Sequence, residues 1–355
     1  MNRPRFLGRL SCFVCALIVL FSLTILDTVN GTTAHASATA SGRVKFDPHM
    51  AFPIISSWKN AQKLNVVNGN VSQPSAATIP PCLASTVEPR CYSPQQIRNA
   101  YNVQPLLNAG ITGKGRTVVI IDGATSTSLR SDVHLYNSLY GLKDPKINVF
   151  SPFSPPSINP SAYIETALDI ETVHSIAPDA TIDLVLANVD FATTPDAELS
   201  GLLTATKYAV DHNLGDVITQ SFGLGESCVG SAYLQQEQLV FSQARAKGIT
   251  LLASSGDSGA AALICSGGLY TEGKGVDVPA ADPLVTSVGG TTLNATVGSG
   301  EYVAETTWNE ANAGAGATGG GISRVFPVPS YQKGLAGLTG RGVPDVSFDA
   351  DPLTE

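Results

Sequence analysis

Two acidic residues four positions apart, Glu165 and Asp169, lie in a segment, Tyr163 to Ile176, whose apolar residues recur with helical spacing. On a helix that separation stacks both carboxylates on one face. A like-charged pair so placed costs a helix roughly 0.2–0.5 kcal/mol. Solvated helix faces carry such pairs routinely, and the spacing alone leaves that alternative open. The setting favours partial burial, because the segment falls between two core strands and Ile164, Ala167, Leu168 and Val173 around the pair are apolar. Two partly buried carboxyls titrate together, and one keeps its proton to higher pH than a free acid would. That is an acid–base device suited to acidic conditions. One carboxylate could take the proton of a hydroxyl nucleophile while the second orients the first.

A third acid, Asp257, stands in Ser255-Gly256-Asp257-Ser258-Gly259, directly after a run that reads as a strand. A carboxyl beside glycines at a strand end can approach a reacting carbonyl closely, and in protonated form it donates to a developing oxyanion. The alternative is a turn aspartate that caps its own loop. Ser258 resembles a nucleophile only locally: no G-x-S-x-G elbow is present, and the surrounding pattern is not that of antiparallel barrels, so it reads as structural.

The elements that must hold these residues follow a regular alternation from about residue 96. Strands are expected at Thr117–Asp122, Lys146–Phe150, Ala180–Ala187, Asp216–Ser221 and Ile249–Ser254. Helices are expected at Tyr163–Ile176, Ala197–His212 and Tyr233–Lys247, the last closed by Gly248. Alternation of this kind predicts an α/β fold with a parallel sheet and helices on both faces. Function then belongs beyond the carboxyl ends of the strands, at Asp122, Ser221 to Gly225 and Gly256 to Gly259. The glycine-rich stretch Ala313 to Gly321 reads as a flexible loop.

The amino terminus reads as an address. Arg3, Arg5 and Arg9 precede an uncharged apolar run, Leu10 to Leu26, and Ala34-His35-Ala36 supplies small residues for cleavage. Residues 1–36 are therefore expected to be a secretory signal, with an uncleaved anchor as the alternative, since the run approaches the ~20 residues that span a bilayer. No second run of that length occurs, so no stable membrane association is expected after cleavage. Residues 37–95, rich in Ser, Pro, Asn, Ala and Thr, read as a propeptide remnant or irregular arm, and 96–355 as the main domain. Cys12 and Cys15 leave with the signal. Cys82, Cys91, Cys228 and Cys265 remain, an even number in an oxidising compartment, and the pairing expected among three alternatives is Cys82–Cys91 with Cys228–Cys265. Asn70-Val71-Ser72 and Asn294-Ala295-Thr296 fit the N-glycosylation pattern. A formal net charge of −8 argues against a nucleic-acid partner.

Taken together in their order, the motifs resemble those of the sedolisin family of serine-carboxyl peptidases, which share a subtilisin-like fold. The resemblance runs from about Tyr101 to the chain end. It rests on Glu165-Thr-Ala-Leu-Asp169-Ile-Glu171 with Ile176-Ala177-Pro178, on Ser221-Phe222-Gly223, and on Ser255 to Gly259. Val278-Pro279-Ala280-Ala281, Val288-Gly289-Gly290-Thr291, Gly319-Gly320-Gly321-Ile322-Ser323 and Gly342-Val343-Pro344-Asp345-Val346 complete it. The resemblance implies that Glu165 is the general base, Asp169 its orienting partner and Asp257 the oxyanion donor. It implies a strand at Ser221, Phe222 and Gly223, where many members have Trp for Phe, that pairs with peptide substrate. Asp122 matches a position where some members carry a carboxylate extending the Glu–Asp network; as an alternative it simply ends its strand.

The departures are equally specific. The family places its nucleophile in a Gly-Thr-Ser segment downstream of Pro-Asp-Val, and its calcium ligands further on. This chain reaches Glu355 shortly after Asp345, so both the serine and the calcium site are expected outside it, and the subtilisin-like fold is expected to be incomplete at the C-terminus. No cofactor or metal is expected within the chain. The reading is a secreted, extracellular serine-carboxyl endopeptidase acting on peptides or proteins at acidic pH, of which this chain alone would be inactive. The alternative is a secreted, catalytically inactive protein that still binds peptides. An ordinary subtilisin fits less well, because Glu165 stands where its His-Gly-Thr-His helix start would be and His174 comes too late in the helix.

Overall fold

The computed structural model describes Leu83 and residues 90–354, apart from 154–156, 158, 190–193 and 267–268. The expected signal, most of the arm, Cys82 and Asn70 lie outside the described residues. In chain order the helices are α1 (Pro94–Ala100), α2 (Gln104–Asn108), α3 (Leu129–Tyr140), α4 (Pro160–Ile176), α5 (Pro195–Asp211) and α6 (Ser231–Lys247). The strands are β1 (Thr117–Asp122), β2 (Lys146–Phe150), β3 (Thr181–Leu186), β4 (Val217–Gln220), β5 (Leu224–Gly225), β6 (Thr250–Ser254) and β7 (Ala261–Ser266). They continue with β8 (Leu269–Lys274), β9 (Asp277–Val278), β10 (Thr286–Ala295), β11 (Tyr302–Thr307), β12 (Gly321–Ile322), β13 (Gly342–Val343) and β14 (Val346–Asp349).

Eight strands form one sheet in the order β11-β10-β6-β4-β1-β3-β2, with β14 also paired to β10. All neighbours are parallel except β10 and β11. The centre of the sheet explains its sequence: β1 is Thr-Val-Val-Ile-Ile-Asp, and a parallel strand covered on both faces needs apolar, mostly β-branched side chains in succession. Val119 and Ile121 point into one core with Leu199, Leu203, Val210, Val240 and Phe241 of α5 and α6. Ile120 points the other way, to Leu129 and Val133 of α3 and Ile170 of α4. Helices thus cover both faces, which is the subtilisin-like α/β arrangement the sequence predicts.

Several elements lie outside the sequence reading, among them α1, α2, α3 and the strands after β6. Helix α3 was not anticipated: of its apolar residues only Leu129 and Val133 are buried, while Leu135 is 44% exposed, so its stripe is thin. Strands β7 and β8 pair antiparallel with each other, outside the main sheet. The expected Cys228–Cys265 disulfide is present and ties β7 to the turn Glu226–Cys228. Among the described residues, no helix is long and apolar enough to cross a membrane.

Candidate active site

Parallel register decides what meets at the carboxyl edge. Ile121 pairs with Gln220 and Gln220 with Ala253, so Asp122, Ser221 and Ser254 leave three adjacent strands at the same level, about 4.8 Å apart per strand. Helix α4 crosses over this edge. Thr166 donates to the carbonyl oxygen of Ala124 at 2.8 Å and so pins the helix to the segment after β1. One turn of helix separates Glu165 from Asp169, and both are partly buried.

Asp169 is seated by Ser221, whose hydroxyl lies 2.8 Å from one carboxylate oxygen and 3.0 Å from the other and donates to them. Burial pushes the Asp169 carboxyl up to about 6, with the Ser221 hydrogen bond opposing. Asp122 lies beside it, only 6% exposed. Its Oδ1 accepts from the Gly123 amide at 3.1 Å, the Thr166 hydroxyl lies close enough to lower its titration, and among the described residues no donor meets its buried Oδ2. Burial first, and then the charge of Asp169, hold the Asp122 carboxyl well above the usual range. The structure therefore gathers Asp122, Asp169 and Ser221 into one contact group.

The apolar surroundings expected for the acid pair are only half present. Ile164 and Leu168 are 54% and 42% exposed, and the buried face of α4 is made instead by Ala162, Thr166 and Ile170. The helical repeat explains this: Glu165 and Asp169 lie at the boundary between the buried face and the open one. Phe222 also differs from a side chain presented to a ligand. Its ring is 6% exposed and joins the core shared with α5 and α6, which leaves the main chain of Ser221 to Gly223 as the group a peptide could meet.

Asp257 follows β6, the strand next to β4. Its loop is laced to the glycine-rich stretch rather than facing a mobile one: Ala317 donates to the Asp257 carbonyl and Gly259 to the Ala317 carbonyl, each at 2.9 Å. Ser255 Oγ donates to the Gly319 carbonyl at 2.8 Å. The approach is so close that a Cβ on Gly319 would come within 2.0 Å of the Ser255 carbonyl oxygen, which is why glycine stands there. Burial raises the Asp257 carboxyl to about 6. Ser258 is exposed and its chain bridges to Ala317, in keeping with a structural residue.

Asp277 was missed by the sequence reading. Gly256 has φ +102°, and a Cβ there would fall 2.6 Å from Asp277 Oδ2, while a Cβ on Gly223 would meet the Asp277 Cβ at 3.1 Å. Asp277 thus sits between the Ser221–Gly223 segment and the Asp257 loop. Burial, then the charges of Asp257 and Glu226, push its carboxyl up to about 7. Glu226, itself buried, accepts from Ser323 Oγ at 2.5 Å and from the Arg324 amide at 2.7 Å. The available signal was position: Asp277 immediately precedes the Val278-Pro279-Ala280-Ala281 motif. Among the described residues no three His, Cys, Asp or Glu side chains gather as a metal-ligand set.

No protein-family model matches the chain. Kumamolisin of Bacillus sp. (strain MN-32) is 34% identical over 287 residues, covering 76% of this chain and 48% of kumamolisin. Sedolisin of Pseudomonas sp. (strain 101) is 37% identical over 193 residues, covering 52% and 32% respectively. The chain therefore spans about half the length, or less, of these relatives. Among solved structures, Pseudomonas sedolisin, a serine-carboxyl proteinase complexed with two molecules of pseudo-iodotyrostatin, superimposes with a TM-score of 0.63 at 30% identity, over 74% of this chain and 72% of that one.

Proposed function

This chain belongs to the sedolisin family of serine-carboxyl peptidases, and from that membership we propose that it acts as a secreted endopeptidase that cleaves peptides and proteins at acidic pH. The observation that carries the reading is the carboxyl edge of the sheet, where Asp169 is seated under Ser221 beside Asp122 and the Asp257 loop follows one strand along.

In this reading Glu165, as carboxylate, takes the proton of an attacking serine, and Asp169 holds Glu165 in place as acceptor. Asp257, still protonated below about 6, donates to the oxyanion as it forms. When the tetrahedral intermediate collapses, Glu165 returns its proton to the leaving amine, and water repeats the sequence to release the acyl product. The extended main chain at Ser221 to Gly223 hydrogen-bonds the substrate backbone. The nucleophile is a serine outside these residues, since no Gly-Thr-Ser occurs in them. The basic residues Arg3, Arg5 and Arg9, the apolar run and Ala34-His35-Ala36 support export.

The test is hydrolysis of a denatured protein at acidic pH by the protein expressed together with the coding sequence that follows Glu355. Cleavage is expected, and Glu165→Gln and Asp169→Asn should each lower kcat/KM by about 10²–10⁴-fold. Undiminished turnover in either variant overturns these roles. Peptide binding without cleavage points to an inactive peptide-binding protein instead.

A further inference from the structure

Ser221 belongs to the segment expected to meet substrate through its backbone, yet its side chain turns away from that task. Its hydroxyl donates to Asp169 and spans both carboxylate oxygens at 2.8 and 3.0 Å. The group it faces is a pair of acids with unequal surroundings. Asp169 receives the Ser221 hydroxyl, whereas Asp122 takes the amide of its own neighbour, Gly123, on Oδ1; the nearby Thr166 hydroxyl also lowers its titration but donates to the Ala124 carbonyl at 2.8 Å, and among the described residues no donor meets the buried Oδ2. A buried carboxylate oxygen without a donor is the costly place for negative charge, and a proton there removes that cost. A hydroxyl donating to the other acid stabilises charge on that one. The groups facing the pair are Ser221 from the end of β4, Gly123 from the end of β1, and Thr166 and Glu165 from α4.

We propose that Ser221 is a positioning residue: its hydroxyl fixes the orientation of Asp169 and makes Asp169, rather than Asp122, the member of the pair that gives up its proton first. The symmetry of two neighbouring acids is broken by one hydroxyl, so that Asp122 acts as the proton store and Asp169 as the group presented to Glu165 one turn away. This rests on the peptidase reading for its purpose, but the ionisation order is a property of the folded chain and does not depend on turnover.

The experiment follows the side-chain carboxyl resonances of Asp122 and Asp169 by ¹³C NMR across pH in the full chain, assigned with Asp122→Asn and Asp169→Asn. In the wild type Asp169 ionises before Asp122. In Ser221→Ala the Asp169 midpoint rises by about one pH unit, the effect of losing a hydrogen bond to a charged group, and the Asp122 midpoint falls toward it. Ser221→Thr, which keeps the hydroxyl, restores the wild-type order. Ser221→Cys, nearly isosteric with a weak donor, falls between and serves if the alanine variant does not fold. An Asp169 midpoint unchanged in the alanine and cysteine variants, or moved equally in the threonine one, overturns the proposal. Where the complete protein turns over, the pH profile of kcat/KM should move with the Asp169 midpoint. Absence of turnover in every form, wild type included, counts against the peptidase reading while the titrations still decide the role of Ser221.

Discussion

At the scale of single residues the site is a set of carboxyls whose surroundings differ. Asp122, Asp169, Asp257 and Asp277 are all raised, chiefly by burial, but each has distinct neighbours. That differentiation lets one acid serve as donor while another accepts. Asp257 is the group whose role is simplest to isolate, because burial alone accounts for its elevated titration. Asp257→Ala removes the donor expected at the oxyanion, and the loss should be on the order of 10²–10³ in kcat with a much smaller change in KM. Steady-state kinetics on the complete protein check this. An equal rise in KM with kcat preserved would place Asp257 in substrate binding instead.

At the scale of elements, position follows from register and from backbone approach. The parallel edge brings Asp122, Ser221 and Ser254 level, and α4 lays Asp169 across the first two. The Asp257 loop is held by the glycine-rich stretch, where Gly319 meets the Ser255 carbonyl. Gly319→Ala must push two backbones apart, which should destabilise by about 1–3 kcal/mol and lower Tm by several degrees in a thermal melt. An unchanged Tm would mean that the two loops do not depend on each other. Much of this was legible in the sequence: the alternation of strand and helix, the i,i+4 acids and the strand-end Asp257 are all local patterns. Asp277 and Glu226 were not: each stands beside a segment the sequence singled out, but what they meet, the Asp257 loop for Asp277 and Ser323 and Arg324 for Glu226, is set by chain crossings with no short spacing to read. The exposure of Ile164 and Leu168 was hidden for a related reason. Periodicity marks where a helix has an apolar residue, whereas the neighbours that cover it are set by the tertiary fold.

At the scale of the molecule, eight described carboxyls, namely Asp122, Asp169, Glu171, Glu237, Asp257, Asp277, Asp282 and Asp349, are raised in the folded state. An acid with a raised folded-state pKa binds its proton more tightly folded than unfolded, so its contribution is full below the ordinary carboxyl range and is lost as pH rises through the folded value. The fold should therefore be most stable on the acid side and weaken progressively from about 4, where the unfolded chain's carboxyls ionise, up to the folded values of about 6 to 8, above which the loss is complete. Buried His174, whose titration is lowered by burial, works in the opposite sense. Glu237 in α6 is the clearest contributor: it is 0% exposed, and burial followed by the charge of Asp282 raises it to about 8, with the Tyr233 hydroxyl opposing. Glu237→Gln should leave acid stability nearly unchanged and add roughly 1–3 kcal/mol at mildly alkaline pH, read by denaturant melts at both conditions; equal effects at both would contradict this account. The most direct test of the central claim is the pH dependence of kcat/KM for peptide hydrolysis by the complete protein. An ionised Glu165 working with a protonated Asp257 requires a maximum on the acid side and a decline through about 6. A rate that keeps rising into the alkaline range would contradict it.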